Sequence, residues 1–246
     1  MSSASTIVIT GSNKGIGRAI LKKFANEYST IWACSRTMDQ KIIDENKEIA
    51  EKNNITIENI FFDLTNKDEL KQAAKEILSK SEKIDVLVNN AGTIDTSLFQ
   101  MTNMSKIRQL FEVNFFGQLE FTQMILKKMI KSKNASVIFI SSTAATDPVQ
   151  GRLSYSSSKS AINIAAKILS HELSRFKIRV NTIAPGLTNT DMMNNNHSDE
   201  NIKTQLEKTS YGRVAEPNEI ASLALYLASN KSSYINGQII RIDGGI

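Results

Sequence analysis

Cysteine is nearly missing from this chain. Cys34 is the single thiol among 246 residues, which excludes an internal disulfide and cannot by itself build a metal site. Histidine is scarce too: His171 falls on a helical stretch and reads as structural, and His197 falls in a polar stretch and reads as solvated. No metal is expected. The three prolines are scattered, so no proline-rich linker divides the chain into domains. No run approaches the roughly 18 apolar residues that a membrane span needs. The opening MSSASTIVIT has neither the basic start nor the long apolar core of a secretory signal. The expected location is the cytoplasm, with no membrane partner.

Charge of one sign is in modest excess, with 30 Lys and Arg against 25 Asp and Glu, a net +5. That balance suits an anionic partner such as nucleic acid, a phosphorylated cofactor or an acidic protein. The densest basic cluster holds only Lys127, Lys128, Lys131 and Lys133. A nucleic-acid surface wants a basic stripe interleaved with aromatics, so no nucleic acid is expected.

What is present is an alternation. Short β-branched runs at 6–10, 30–35, 58–64, 83–90, 136–141, 178–184 and 238–243 are separated by helical patterns near 15–28, 39–53, 67–81, 104–132, 154–176 and 216–229. Strands apolar along their whole length are buried on both faces, as in a parallel sheet covered by helices. The expected fold class is therefore α/β, a doubly wound parallel sheet of about seven strands with helices on both faces. Residues 1–246 read as a single domain. The segment 187–212 is long, polar and rich in asparagine, and it reads either as a substrate lid or as a surface excursion.

The first strand runs into TGSNKGIG (10–17), with Gly11, Gly15 and Gly17 ahead of the first helix. Gly11 permits a sharp turn, and Gly15 and Gly17 are expected to let the backbone approach a pyrophosphate at the helix N-terminus. The spacing is G-x-x-x-G-x-G rather than the common G-x-G-x-x-G. The second strand ends WACSRT, with Ser35 and Arg36 where an NAD site carries a carboxylate, and Lys14 sits inside the glycine turn. Two cations there suit the additional phosphate of NADP, so NADP(H) is expected over NAD.

In GRLSYSSSKS (151–160), Tyr155 and Lys159 stand four residues apart at the start of a helical pattern. That spacing puts the ammonium on the same helix face as the phenol. A cation about 5 Å away, at an effective dielectric of about 20, favours the phenolate by roughly 3 kcal/mol. A tyrosine made acidic in this way can exchange a proton with a carbonyl or alcohol oxygen near neutral pH.

These motifs, with NNAG (89–92), Asn114 in VNFFG, Ser142 thirteen residues before Tyr155, PGLTNT (185–190) and INGQIIRIDGG (235–245), resemble the short-chain dehydrogenase/reductase family over essentially the whole chain. Within it the chain looks most like the 3-oxoacyl-[acyl-carrier-protein] reductase branch, chiefly through TDM and GRVAEPNEIASLALYLAS. The resemblance implies a Rossmann-type sheet and a catalytic set of Asn114, Ser142, Tyr155 and Lys159. In that set Tyr155 exchanges the proton, Lys159 also holds the nicotinamide ribose, Ser142 orients the carbonyl, and Asn114 keeps a water in a proton relay. It further implies that Ser12, Ile16, Asp63, Leu64, Asn90, Ala91, Gly92, Pro185, Gly186, Thr188 and Thr190 line the cofactor with the three glycines, Lys14 and Arg36. Asp63 would meet the adenine, and Asn90 and Ala91 the adenosine side. Much of the family is tetrameric, and a homotetramer is expected.

Three functions fit the sequence: an NADP(H)-dependent reductase of 3-oxoacyl thioesters; a relative acting on a sugar intermediate, small ketone or secondary alcohol; and a nucleotide-binding module without turnover. The intact Ser142, Tyr155 and Lys159 weigh against the third. An acidic acyl carrier protein is a candidate partner for Lys127, Lys128, Lys131 and Lys133, as in the reductase branch. The second basic position of that branch is occupied by Phe176, between Arg175 and Lys177.

Overall fold

The structure is a computed structural model that describes residues 5–196, 199–207 and 209–246. His197 lies outside them. The strands are β1 (Thr6–Thr10), β2 (Thr30–Ser35), β3 (Thr56–Phe61), β4 (Val86–Asn89), β5 (Ala135–Ile140), β6 (Ile178–Pro185) and β7 (Ile239–Ile242). They form one sheet in the order β3-β2-β1-β4-β5-β6-β7, parallel throughout. The helices are α1 (Gly15–Phe24), α2 (Gln40–Asn53), α3 (Lys67–Lys80), α4 (Met104–Phe111), α5 (Gly117–Met129), α6 (Leu153–Glu172), α7 (Asp191–Asn194), α8 (Asp199–Leu206) and α9 (Pro217–Ala228).

Why continuous apolar strands are needed is visible in β1. Ile7 and Ile9 face a core shared with Ile20, Leu21 and Phe24 of α1 and Ile220 and Leu227 of α9. Val8 faces the opposite core, with Leu70 and Ile77 of α3, Phe121 and Ile125 of α5 and Ile162 of α6. Successive side chains of a strand point to opposite faces, so two apolar layers demand an unbroken apolar run. Each fully buried Ile, Leu or Phe contributes about 1.5–3 kcal/mol to closing these layers.

Several boundaries differ from the sequence reading. The pattern over 104–132 is not one helix: a π-turn at Glu112–Phe116 separates α4 from α5. Gly117 follows it so closely against the 64–65 loop that a Cβ would stand 2.5 Å from the Leu64 carbonyl oxygen. Strand β4 begins at Val86 because Asp85 turns inward, its carboxylate accepting from the Thr6 N–H (2.9 Å) and the Ser132 hydroxyl (2.6 Å). His171, on the last turn of α6, is exposed rather than structural.

The 187–212 stretch is not a structureless loop. It carries α7 and α8, and it begins with a parallel bridge between Thr188 and Ala215. It returns through Ser210 and Tyr211, whose N–H groups donate to the carbonyls of Gly245 and Gly244. Strand order reverses between β1 and β4, and the loops at the carboxyl ends of β1, β4, β5 and β6 gather at that crevice. In open α/β sheets this is where ligands bind.

Candidate active site

The turn after β1 is built for close approach. Gly11 has φ +67°, and a Cβ on it would lie 2.9 Å from Ala91 Cα. Gly15 has φ +54° and faces the Thr190 methyl across the crevice. Helix α1 starts at Gly15 with no side-chain cap and no acidic residue in its first turn. Its free N–H groups and positive dipole end therefore suit an anion. Gly17 is also packed tightly within the turn itself. A Cβ there would overlap the Gly11 carbonyl oxygen and crowd Asn90 Nδ2, so Gly17 serves the packing of helix start on turn.

Two residues expected beside the cofactor also brace the turn. Asn90 Nδ2 donates to the carbonyls of Thr10 (3.1 Å) and Gly11 (3.0 Å), tying β4 to the glycine turn. Ser12 is buried, and both its N–H and its hydroxyl donate to the Cys34 carbonyl at 3.1 Å. Asp63 Oδ1 accepts from the N–H and hydroxyl of Thr65, both at 2.8 Å, which closes a local turn. Leu64 is buried in the core, and Ile16 packs against the other one. Arg36 is exposed just past β2, and no carboxylate pairs with it among the described residues. Lys14 is also exposed, 4.0 Å from Asp191 of α7. Pro185 ends β6, and Gly186 donates to the Ile242 carbonyl at 2.8 Å. Thr188 and Thr190 hold the chain entering α7, where Thr190 Oγ1 accepts from the Met193 N–H.

Opposite this cradle lie the four residues of the expected catalytic set. Ser142 follows β5, where its hydroxyl caps a short 3-10 turn by accepting from the Ala144 N–H at 3.2 Å. Tyr155 and Lys159 project from the first turns of α6, 9% and 4% exposed. Lys159 Nζ donates to the Ile140 carbonyl at 2.8 Å and stands 5.9 Å from the centre of the Tyr155 ring. Asn114 lies on the π-turn, fully buried. A Cβ on Gly92 would come within 3.3 Å of Asn114 Oδ1 and 3.4 Å of Lys159 Nζ. Gly92 is thus the point where the β4 loop touches both.

The electrostatics differ from the simple pair expected. Burial pushes the Tyr155 phenol up, while the Ser142 hydroxyl and the Arg152 charge pull it down. Burial lowers Lys159 to about 8, which leaves it mostly an ammonium at neutral pH. The ammonium donates to a backbone carbonyl and stands 5.9 Å from the centre of the phenol ring, so its charge and that of Arg152 both act on the phenol. Asn114 is held by hydrogen bonds of its own. Its Nδ2 donates to the Thr93 carbonyl (2.9 Å) and the Ser158 hydroxyl (3.1 Å), and its Oδ1 accepts from the Thr93 N–H (2.8 Å). Both amide protons are used, so the side chain braces the β4 loop against α6.

Two residues escaped the sequence reading. Arg152 is 4% exposed at the N-terminus of α6 and donates to the Asn196 carbonyl at 2.9 Å. Asp95 lies in the β4 loop, within the electrostatic reach of Arg152, and its Oδ2 is buried without a hydrogen-bond partner. Arg152 was legible in principle, since it precedes Tyr155 by one helical turn. Asp95 carried no signal. Among the basic residues expected to face a carrier, Lys128 is diverted, its ammonium donating to the Ser81 carbonyl at 2.5 Å. Lys127, Lys131 and Lys133 are exposed. The Arg175 guanidinium lies over the Phe176 ring at 4.6 Å. Among the described residues no cluster of His, Cys, Asp and Glu could hold a metal, and no helix is long and apolar enough to cross a membrane.

Comparison with known proteins agrees with this arrangement. The family model for short chain dehydrogenase matches residues 5–201. The 3-oxoacyl-[acyl-carrier-protein] reductase FabG of Thermotoga maritima is 33% identical over 241 residues, covering 97% of this chain and 96% of its own. The 7alpha-hydroxysteroid dehydrogenase of Escherichia coli is 31% identical over 243 residues, covering 97% of this chain and 92% of its own. Among solved structures, the L-sorbose reductase of Gluconobacter frateurii complexed with NADPH and L-sorbose superposes with a TM-score of 0.90. It is 26% identical and covers 99% of this chain and 96% of its own.

Proposed function

The chain belongs to the short-chain dehydrogenase family, and from that premise we propose that it is an NADP(H)-dependent reductase of 3-oxoacyl thioesters presented on an acyl carrier protein. One observation carries the reading of the chemistry: Asn114 and Lys159 meet at Gly92, and Tyr155 lies between Lys159, 5.9 Å from its ring centre, and the Ser142 hydroxyl. The cradle fits a dinucleotide, because the first turn of α1 offers free N–H groups and Gly11 brings the turn against Ala91. Exposed Arg36 and Lys14, with no carboxylate closing β2, support NADP(H) as the form held. When bound, the reduced nicotinamide supplies the hydride.

The protein's own residues do the rest. Tyr155 gives its phenolic proton to the carbonyl oxygen as carbon is reduced, and takes one back in the reverse direction. The Ser142 hydroxyl, already facing the phenol, donates to the same oxygen and holds it in line. Lys159 keeps a positive charge at the bottom of the site and is placed to hold a ribose hydroxyl. Asn114 keeps the β4 loop and α6 in register, so that donor and acceptor stay within hydrogen-bond reach. The 187–212 segment, with α7 facing the glycine turn through Thr190 and Asp191, serves as the lid.

The reductase of Thermotoga maritima supports the carrier-bound substrate, as do exposed Lys127, Lys131 and Lys133 at the end of α5, which suit an acidic partner. A second reading, a small polar ketone such as a sugar, draws on the charge of Arg152 acting on Tyr155, with Asp95 in reach of Arg152. Exposed Phe116 on the π-turn and exposed Ile164 and Ile168 on α6 support a homotetramer with helices packed between copies. The deciding experiment is a panel of 3-oxoacyl-carrier thioesters, simple ketones, sugars and keto-steroids, followed by loss of NADPH absorbance. The carrier thioester should be reduced with the highest kcat/KM, and Tyr155→Phe should abolish turnover of every substrate while coenzyme still binds. Preference for a sugar or steroid would defeat the substrate assignment. Tyr155→Phe turnover within tenfold of wild type would defeat the chemical one.

A further inference from the structure

Ser142 stands just past the point where the sheet lets go of its chain. The N–H of Ser141 still donates to the Ile183 carbonyl of β6 at 2.8 Å. Beyond it the chain folds into the short 3-10 turn Thr143–Ala145, closed locally by the N–H groups of Thr146 and Asp147, which both donate to the Thr143 carbonyl at 3.0 Å. One such turn is weak by itself, so its place depends on what ties it down. One tie comes from α6, where the Ser160 hydroxyl donates to the Ala145 carbonyl. The other comes from the edge strand β7, two strands away in the sheet.

Arg241 of β7 reaches back across 94 residues of sequence to the end of that turn. Its Nη1 donates to the Thr146 hydroxyl (3.2 Å) and to Asp147 Oδ1 (3.0 Å), and its Nη2 donates to Asp147 Oδ2 (2.8 Å). Both carboxylate oxygens are thus gripped by one planar fork. The guanidinium is itself aimed by Asp243, whose carboxylate accepts from Nε at 2.6 Å. The strand behind it is fixed, since Arg241 pairs with Ala184 of β6 and the Gly186 N–H donates to the Ile242 carbonyl at 2.8 Å. A plain ion pair with side chains 35% and 41% exposed would contribute little. Its two-pronged geometry and the second carboxylate give this one a defined direction.

We propose that Arg241 is a positioning residue for the reaction: by forking onto Asp147 it ties the Ser142 turn to β7 and so fixes where the Ser142 hydroxyl meets the substrate carbonyl. The proposal rests on the reading of Ser142 as the donor that orients that carbonyl. Tyr155 and Lys159 are placed by a twenty-residue helix, whereas Ser142 is placed by a turn with two ties, so Arg241 bears on one member of the set and not on the others. Displacing an orienting group by about 1 Å can cost on the order of a hundredfold in rate. Loss of one tie is therefore felt in turnover even where the fold is little changed.

The test is a double-mutant cycle between Arg241 and Ser142, run with whichever ketone the panel identifies and with enzyme in excess, so that slow variants are read in a single turnover. Arg241→Met removes the fork and keeps a long apolar stem. Its reduction rate should fall on the order of tenfold with KM within about twofold of wild type. The Kd for NADPH, read from coenzyme fluorescence, should stay within about twofold, because the fork makes no contact with the glycine turn. Arg241→Lys should recover only part of the rate, since an ammonium cannot grip both carboxylate oxygens. In a Ser142→Ala background the same Arg241→Met change should cost less than about twofold, because the group it positions has gone. If Arg241→Met fails to fold, Asp147→Asn, which keeps the shape and removes the charge, carries the same cycle. Equal losses in the two backgrounds would make Arg241 a general brace and overturn the proposal, as would a loss of NADPH binding in step with the rate. Wild-type turnover in Ser142→Ala alone would overturn the reading of Ser142, and the proposal with it; additive losses with an impaired Ser142→Ala overturn the proposal only.

Discussion

Replacing Lys159 with methionine probes the electrostatics of the site through stability alone. The ammonium is 4% exposed, and burial lowers its pKa from 10.5 to about 8. In the unfolded chain it is hydrated and titrates near its ordinary value. The folded group holds its proton less tightly, so between about pH 8 and 10.5 the unfolded state binds more protons and stability rises with pH. Below that window both states are protonated and the whole penalty is present. The difference between the two values corresponds to about 3 kcal/mol. Methionine keeps the length and apolar stem but removes the charge, so it relieves that penalty. It also gives up the bond to the Ile140 carbonyl and leaves that oxygen without its donor, at a cost of about 1–2 kcal/mol. The net expectation at pH 7 is a variant about 1–2 kcal/mol more stable than wild type, though catalytically dead. For a chain of this size that is a rise of a few degrees in Tm. Urea unfolding at matched protein concentration, repeated from pH 7 to 10.5, reads the effect. The advantage should shrink across the window and reverse at its top, where the wild-type lysine is neutral and still donates. A gap that stays constant across the series would show that burial does not set the lysine's proton affinity, and the reasoning would fail.

Arg36→Asp places a carboxylate past β2, where the exposed arginine now stands. The ratio of kcat/KM with NADPH to that with NADH should fall about tenfold to a hundredfold, the exposure of the site limiting the change; an unchanged ratio removes Arg36 from coenzyme selection. Gly17→Ala drives a methyl into the Gly11 carbonyl. It should cost roughly 2–4 kcal/mol by thermal or urea unfolding and weaken coenzyme binding with it, and a stability equal to wild type would refute the packing described. Lys133→Glu should raise KM for a carrier-bound thioester, most at low salt, and leave a carrier-free analogue unaffected. Equal effects on both substrates would mean that no docking occurs there.

The order of the elements and the class of the fold were written locally. An unbroken apolar run such as VLVN or ASVIFI has no place on a half-solvated sheet, and each such run is followed by a helical pattern long enough for a crossover. The glycine turn, Tyr155 with Lys159, and Ser142 were legible for a related reason. Their chemistry depends on short separations along the chain, or on a strand end that the apolar pattern marks. Polar side chains whose partners lie far away in sequence were not legible. Asn90 reaches Thr10 and Gly11, Ser12 reaches Cys34, and Asn114 reaches Thr93 and Ser158. The family resemblance implies where these residues lie and says nothing of which protein atoms they bond.

The sequence by itself determined the doubly wound sheet, the position of the crevice and the residue types brought to it, since hydrophobic periodicity and glycine spacing are properties of neighbours. It also showed that Tyr155 and Lys159 share a helix face. Only the tertiary structure decided where the charges point. Burial turned the Lys159 ammonium toward the Ile140 carbonyl, because a buried donor must find the nearest acceptor and the end of β5 supplies it. It brought Arg152 beside the phenol and under the Asn196 carbonyl, across a separation of 44 residues. The acidity of a buried phenol is the sum of desolvation and of charges from every element packed around it, and that sum exists only once the elements are packed.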